Sequence, residues 1–188
     1  MHGHATVTYI NGYVYEGLWV NNHKHGFGKE IKHNGDTYQG MFNSSMYSGE
    51  GEYRFKNGIA YRGEFMNNDR HGNGTLTIPD GRRYEGAWRY DLKHGYGIFQ
   101  WPGGKRYEGE YFENRKHGKG IMKYPDGTKY SGNWFNDKKN GPGLYFNLDN
   151  EYVEQIWENG RLFTTRDDEI QQENSSENCE NYPYKIDS

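Results

Sequence analysis

The sequence is short of nearly everything that stabilises the commoner protein classes. It has one cysteine, Cys179, so no intramolecular disulfide framework is available. No stretch approaches the ~18 to 20 apolar residues that a membrane-spanning helix needs. Leucine and alanine are scarce, whereas 27 glycines and 18 tyrosines are present, a balance that disfavours helices and suits strands. Aromatic residues make up 17% of the chain, too many for a disordered polypeptide. Met1-His2-Gly3-His4 has neither a basic n-region nor an apolar h-region. No secretory leader is therefore expected, and the expected setting is cytoplasmic.

What is present is a repeat. Tyr15, Tyr38, Tyr61, Tyr84, Tyr107 and Tyr130 recur every 23 residues. A glycine follows two places on each time, from Gly17 to Gly132, and a large ring two places further: Trp19, Phe42, Phe65, Trp88, Tyr111 and Trp134. Then comes His-Gly-x-Gly, as in His25-Gly26, His71-Gly72, His94-Gly95 and His117-Gly118, with Ser48-Gly49 and Asn140-Gly141 in the same slot. Asn-Gly, Asp-Gly or Gly-Gly pairs close the units at Asn11-Gly12, Asn34-Gly35, Asn57-Gly58, Asp80-Gly81, Gly103-Gly104 and Asp126-Gly127.

The pattern translates into hairpins. Asn-Gly and Asp-Gly fit a type I′ turn, whose central residues both need positive φ. In the strand after the turn, Tyr, Gly and the large ring share one face at i, i+2 and i+4. In the strand before it, Gly-x-Gly leads into alternating apolar residues on that same face. Stacked hairpins then bury a continuous aromatic row over a glycine floor.

These residues resemble the MORN (membrane occupation and recognition nexus) repeat, and the resemblance covers about residues 2 to 163. It implies an all-β, elongated, single-layer, twisted antiparallel sheet of stacked β-hairpins. With some fourteen strands at ~4.8 Å each, the rod would be on the order of 65 Å long. The pattern decays near Asp149-Asn150, Val153 and Gln155, as a capping repeat should. Residues 164–188 carry seven acidic against two basic residues and are expected to form a disordered tail. Tyr182-Pro183-Tyr184 within it is the alternative, a short docking motif.

No pattern for catalysis or cofactor binding emerges. The histidines of the repeat lie about 9 to 10 Å apart, too far to share a zinc ion, and are expected to orient loops by hydrogen bonding. The Gly-x-Gly pairs lack the third glycine of a dinucleotide loop. Neither enzyme activity, a cofactor nor a metal is expected.

Three surface features are candidates for binding. The aromatic row, with Tyr61, Phe65, Tyr84, Trp88, Tyr107, Tyr111, Tyr130 and Trp134, would form a partner-binding groove, rings being favoured at interfaces. Lys24, Arg70, Lys93, Lys116 and Lys139 precede the His slot and would line one basic edge, suited to anionic lipid or an acidic protein. On the opposite face Tyr96, Ile98, Ile121, Leu144 and Phe146 would form a second apolar patch, covered either by the C-terminal segment or by a partner. Glu30 and Lys32 interrupt the apolar slots, which is read as tolerance near the end of a stack.

The reading from sequence is thus a non-enzymatic protein-interaction scaffold. Six repeats followed by an acidic tail are similar to the radial spoke head subgroup. That likeness implies a cytoskeletal or ciliary axoneme assembly with axonemal protein partners. The alternative is a peripheral membrane module that binds anionic phospholipid. A third reading has the repeats regulating, in trans, an enzyme carried on another chain. Nucleic acid is not expected, because the charge is balanced. Open sheet ends leave room for a homodimer.

Overall fold

The computed structural model describes residues 1–165. The acidic stretch from residue 166, with Cys179 and Tyr182-Pro183-Tyr184, lies outside the described residues. The described chain is a single antiparallel sheet of fifteen strands in sequence order, each paired with its neighbours along the chain. The first strands are β1 (Gly3–Thr8), β2 (Val14–Val20), β3 (His23–Ile31), β4 (Thr37–Asn43) and β5 (Met46–Arg54). The middle is β6 (Ala60–Met66), β7 (Asp69–Thr77), β8 (Arg83–Arg89), β9 (Leu92–Gln100) and β10 (Arg106–Phe112). The last are β11 (Arg115–Lys123), β12 (Lys129–Phe135), β13 (Lys138–Phe146), β14 (Tyr152–Glu158) and β15 (Arg161–Thr165). The fifteenth strand carries the sheet two residues past the boundary expected at 163.

The two kinds of turn are the reverse of the sequence expectation. At the Asn-Gly sites only the glycine has positive φ, as at Gly12 (82°), Gly35 (89°) and Gly58 (86°). Gly12 donates to the carbonyl of Tyr9 and Tyr9 to that of Tyr13, the pattern of a type I turn followed by a glycine bulge. The asparagine is used for its side chain: Asn11, Asn34 and Asn57 accept the N–H two residues on. Two successive positive-φ residues occur among the closing pairs at Gly103-Gly104 alone, and mark the other connections, Asn21-Asn22, Ser44-Ser45, Asn67-Asn68, Tyr90-Asp91, Glu113-Asn114, Asn136-Asp137 and Asn159-Gly160. A clamp to the preceding repeat holds them. Arg70 N–H donates to Asp91 Oδ1 at 3.0 Å, and Asp91 N–H returns a bond to the Arg70 carbonyl at 3.1 Å. Tyr47 with Asn68, Lys93 with Asn114 and Lys116 with Asp137 repeat the clamp. This tertiary pairing offsets the ~1 to 2 kcal/mol that a left-handed non-glycine residue costs.

Glycines occupy one line across the sheet. Gly17 pairs with Gly28, Gly28 with Gly40, and so on without a gap to Gly143. Each repeat tyrosine lies flat on this stripe. A Cβ built on Gly97 would stand 2.4 Å from the Tyr84 hydroxyl oxygen, and one on Gly74 would stand 2.3 Å from that of Tyr61. The rings then join edge to face. Trp19, Tyr15, Phe42, Tyr38, Phe65, Tyr61, Trp88, Tyr84, Tyr111, Tyr107, Trp134, Tyr130 and Trp157 form one unbroken chain, with centroids 5.1 to 6.0 Å apart. Each such contact adds about 0.5 to 1.5 kcal/mol beyond the area buried. Five of the six tyrosine hydroxyls donate to the carbonyl three residues on, as Tyr84 does to Ala87 at 2.9 Å. The Tyr130 hydroxyl is buried without a partner.

Two outcomes follow for chemical denaturation. Gly97→Ala is expected to cost about 3 kcal/mol, because both the ring and the strand would have to shift; an unchanged midpoint would contradict the flat-ring packing. Tyr84→Phe should cost about 1 kcal/mol through its lost hydrogen bond, whereas Tyr130→Phe should cost nothing.

Candidate functional site

The aromatic face holds most of the residues singled out from sequence, but not in the roles expected. Tyr61, Phe65, Tyr84, Trp88, Tyr107, Tyr111, Tyr130 and Trp134 are all buried, at 0 to 6% exposure. They form the core of the sheet, and Tyr61 and Phe65 also line an open cavity on this face. The burial has a physical reason: a ring lying flat on glycine is covered by the rings beside it and by a side chain from above. The accessible rings are a second tier nearer the Asn-Gly turns, where Tyr53 packs on Phe55 at 4.7 Å and Phe99 on Trp101 at 4.4 Å. Tyr124 and Tyr145 continue the tier, half-buried against the core.

The basic residues do the covering. Arg70, Lys93, Lys116 and Lys139 pair in register with Phe65, Trp88, Tyr111 and Trp134, so they stand on the aromatic face and do not line an outer edge. The Arg70 guanidinium sits 4.4 Å from the Trp88 ring centre, and the Lys116 ammonium 4.6 Å from that of Trp134. Lys93 reaches 5.0 Å from Phe99, and Lys139 lies 4.0 and 4.1 Å from Tyr130 and Trp157. Their stems shield the rings while the charge meets the ring faces. Burial lowers Lys93 and Lys116 below the usual lysine range, partly offset by Asp137, and pushes Lys139 down to about 8.

The cations differ in how they are balanced. Arg70 forms an ion pair with Asp91 at 2.8 Å, and Lys24 one with Glu30 at 2.9 Å. Lys93, Lys116 and Lys139 form no ion pair among the described residues. The turn slot explains part of this: where Arg70 faces Asp91, Lys93 faces Asn114 and Lys139 faces Gly160. Lys116 faces Asp137, whose Oδ1 accepts the Lys116 N–H.

Glu30 is the residue that sequence reading undervalued. It is buried, and accepts hydrogen bonds from Lys24 Nζ and the Tyr47 hydroxyl, both at 2.9 Å. Lys24 Nζ also donates to the Tyr13 hydroxyl. Burial pushes the Glu30 carboxyl up, but the bonds from Lys24, Tyr13 and Tyr47 outweigh it and hold the group below its ordinary value. Its contribution to stability is therefore present above pH ~4.3 and lost as pH falls through the lowered pKa. The signal was in the sequence: Tyr47 fills the basic slot of the repeat that follows the one in which Glu30 fills an apolar slot. Lys32 lies over Tyr53 at 4.9 Å, and these groups with Phe55, Asn68 and Arg70 line an open cavity of about 600 Å³.

The opposite face carries the second patch in striped form. Tyr96 is exposed and donates to Glu108 at 2.6 Å. Ile98 and Ile121 flank Glu108, and Ile121 and Leu144 flank Ser131, so polar residues separate the apolar ones. Phe146 packs on Tyr152. At His71 and His117 the expected loop-orienting hydrogen bond is not made through Nδ1 among the described residues. His71 packs on Tyr90 and His117 on Phe112 and Phe135, and Nδ1 of both His71 and His117 lacks a partner. Among the described residues, no three His, Cys, Asp or Glu side chains converge as metal ligands.

Glu30→Gln is expected to lower stability by about 2 kcal/mol, because it leaves Lys24 part-buried without its counter-charge. The double variant Lys24→Met/Glu30→Leu, which restores the apolar slot, should regain most of that loss. Urea midpoints measured at pH 7 check both.

Comparison with known proteins places this geometry. Among curated proteins, none matches. Several solved structures align over most of the chain. One is the SAS-4 (dCPAP) TCP domain of Drosophila melanogaster in complex with a proline-rich motif of Ana2 (dSTIL). It is 12% identical over 87% of this chain and 88% of that one, with a TM-score of 0.43. The CPAP G-box domain is 18% identical over 87% and 98%, with a TM-score of 0.36. The TCP10 domain of Danio rerio CPAP is 14% identical over 87% and 88%, with a TM-score of 0.32. At these scores the neighbours assign no function. The MORN repeat profile matches residues 15–37, 38–59, 61–82, 84–106, 107–129 and 130–146, in step with the hairpins described above. The chain belongs to the MORN repeat family.

Proposed function

We propose that this protein is a non-enzymatic scaffold that binds a segment of a protein partner along the aromatic face, within a cytoskeletal or axonemal assembly. One observation carries the binding reading. The sheet is a single layer, and among the described residues no second layer of strands or helices covers its second-tier rings, Tyr53, Phe55, Phe99, Trp101, Tyr124 and Tyr145; only lysine side chains reach over Tyr53, Phe99, Trp101 and Tyr124. Large rigid aromatic rings are enriched at interface centres. The cytoskeletal and axonemal setting is supported only by the sequence likeness to the radial spoke head subgroup.

The test uses Phe55→Ser/Trp101→Ser, which alters accessible rings and spares the buried chain, after a thermal melt shows that the fold is kept. Wild type and variant are used to capture proteins from a ciliary or cytoskeletal fraction, and are floated with anionic liposomes. Proteins bound by wild type and lost in the variant are the expected result. Liposome binding that releases at high salt, with no protein retained, would replace this reading with a peripheral membrane module.

A further inference from the structure

The cation row on the aromatic face is not uniform, and its asymmetry points to a ligand. Lys24 and Arg70, toward the first half of the sheet, are neutralised by Glu30 and Asp91. Lys93, Lys116 and Lys139 follow on β9, β11 and β13, each over two or more rings and none in an ion pair among the described residues. A part-buried ammonium has given up some of its water. With no carboxylate in contact, it gains more from an incoming anion than a fully solvated lysine does. Burial also depresses all three amines, with Asp137 offsetting part of this at Lys93 and Lys116.

The spacing narrows the choice of ligand. These lysines stand two strands apart, roughly 9.6 Å per step along the sheet. A polyproline II segment rises ~3.1 Å per residue with three residues per turn, so every third side chain returns to one side after ~9.3 Å. A β-strand repeats its side chains every ~6.8 Å and falls out of step at once. A helix with acids seven residues apart advances ~10.5 Å and drifts by about 2 Å over the two intervals. The residues between the acids would face the second-tier rings Phe99, Trp101, Tyr124 and Tyr145, which suit the flat, pre-ordered surface of proline. We propose that the face of β9 to β13 is a docking site for a polyproline II segment bearing a carboxylate at every third residue, received by Lys93, Lys116 and Lys139.

This rests on the scaffold reading above and names the chemistry of its ligand. The probe is a nine-residue peptide, Glu-Pro-Pro repeated three times. It is set against a block peptide of the same composition with three consecutive glutamates, and against a helical peptide with glutamates seven residues apart. Binding to the full chain is followed by fluorescence polarisation. The spaced peptide is expected to bind at least tenfold more tightly than either control. Lys93→Met/Lys116→Met/Lys139→Met keeps the stems over the rings and should weaken it at least tenfold. Lys119→Met/Lys123→Met/Lys129→Met removes the same charge from the opposite face and should change binding less than twofold, with melts confirming that both variants fold. Equal binding of spaced and block peptides, equal loss in the two variants, or tighter binding of the helical peptide would overturn the proposal. So would phosphatidylserine vesicles binding through the three lysines while no peptide binds. If the peptides fail but Phe55→Ser/Trp101→Ser still loses a captured protein, the scaffold stands and only this ligand falls.

Discussion

Everything in this sheet depends on a tyrosine ring lying flat on bare backbone. A side chain at any stripe glycine from Gly17 to Gly143 would bring its Cβ within 2.3 to 2.7 Å of a ring or of the facing strand. The constraint fixes the glycines, brings the rings low enough to meet edge to face, and leaves each ring with one uncovered surface. A layer of helices would cover that surface in a larger fold. Here lysine and arginine stems do so, which is how a chain only 32% hydrophobic keeps six tyrosines sealed from water. The polar composition is therefore a consequence of the packing: the second layer is made of cations.

The architecture was legible because its causes are local. Tyr-x-Gly-x-ring sets one strand, Gly-x-Gly the next, and the 23-residue period fixes the register. What the sequence concealed depends on residues about twenty positions apart. Tyr90-Asp91 and Ser44-Ser45 carry no glycine, and they become left-handed turns because the preceding repeat clamps them. Asn-Gly seemed to require the double left-handed turn, yet the asparagine serves as a side-chain acceptor and the glycine as a bulge. The basic residues resembled an edge because they precede a loop motif. The bulge after them at Gly26, Gly72 or Gly95 returns them to the ring face. Burial of Glu30 required knowing that Tyr47 would stand beside it.

The sheet is also less uniform than its repeat. Toward the first strands, Glu30, Lys24, Lys32 and Tyr47 form a self-contained polar cluster beside an open cavity. Toward the last strands, the same slots hold cations that form no ion pair among the described residues, above a richer tier of rings. One substitution pattern, Tyr47 for a cation and Glu30 for an apolar residue, separates two chemical environments on one continuous face. The repeat supplies the geometry, and departures from it supply the differences in character along the rod.

Each strand bonds only to its predecessor and successor in the chain, and the turn clamps tie each repeat only to the next. Pulled apart by its two ends, such a sheet carries the load on the outermost strand alone. It would peel hairpin by hairpin at low, repeated force, lengthening in steps of one 23-residue unit, and would re-zip in the reverse order when slackened. An element built this way behaves as an extensible tether whose give is set by how many hairpins it contains.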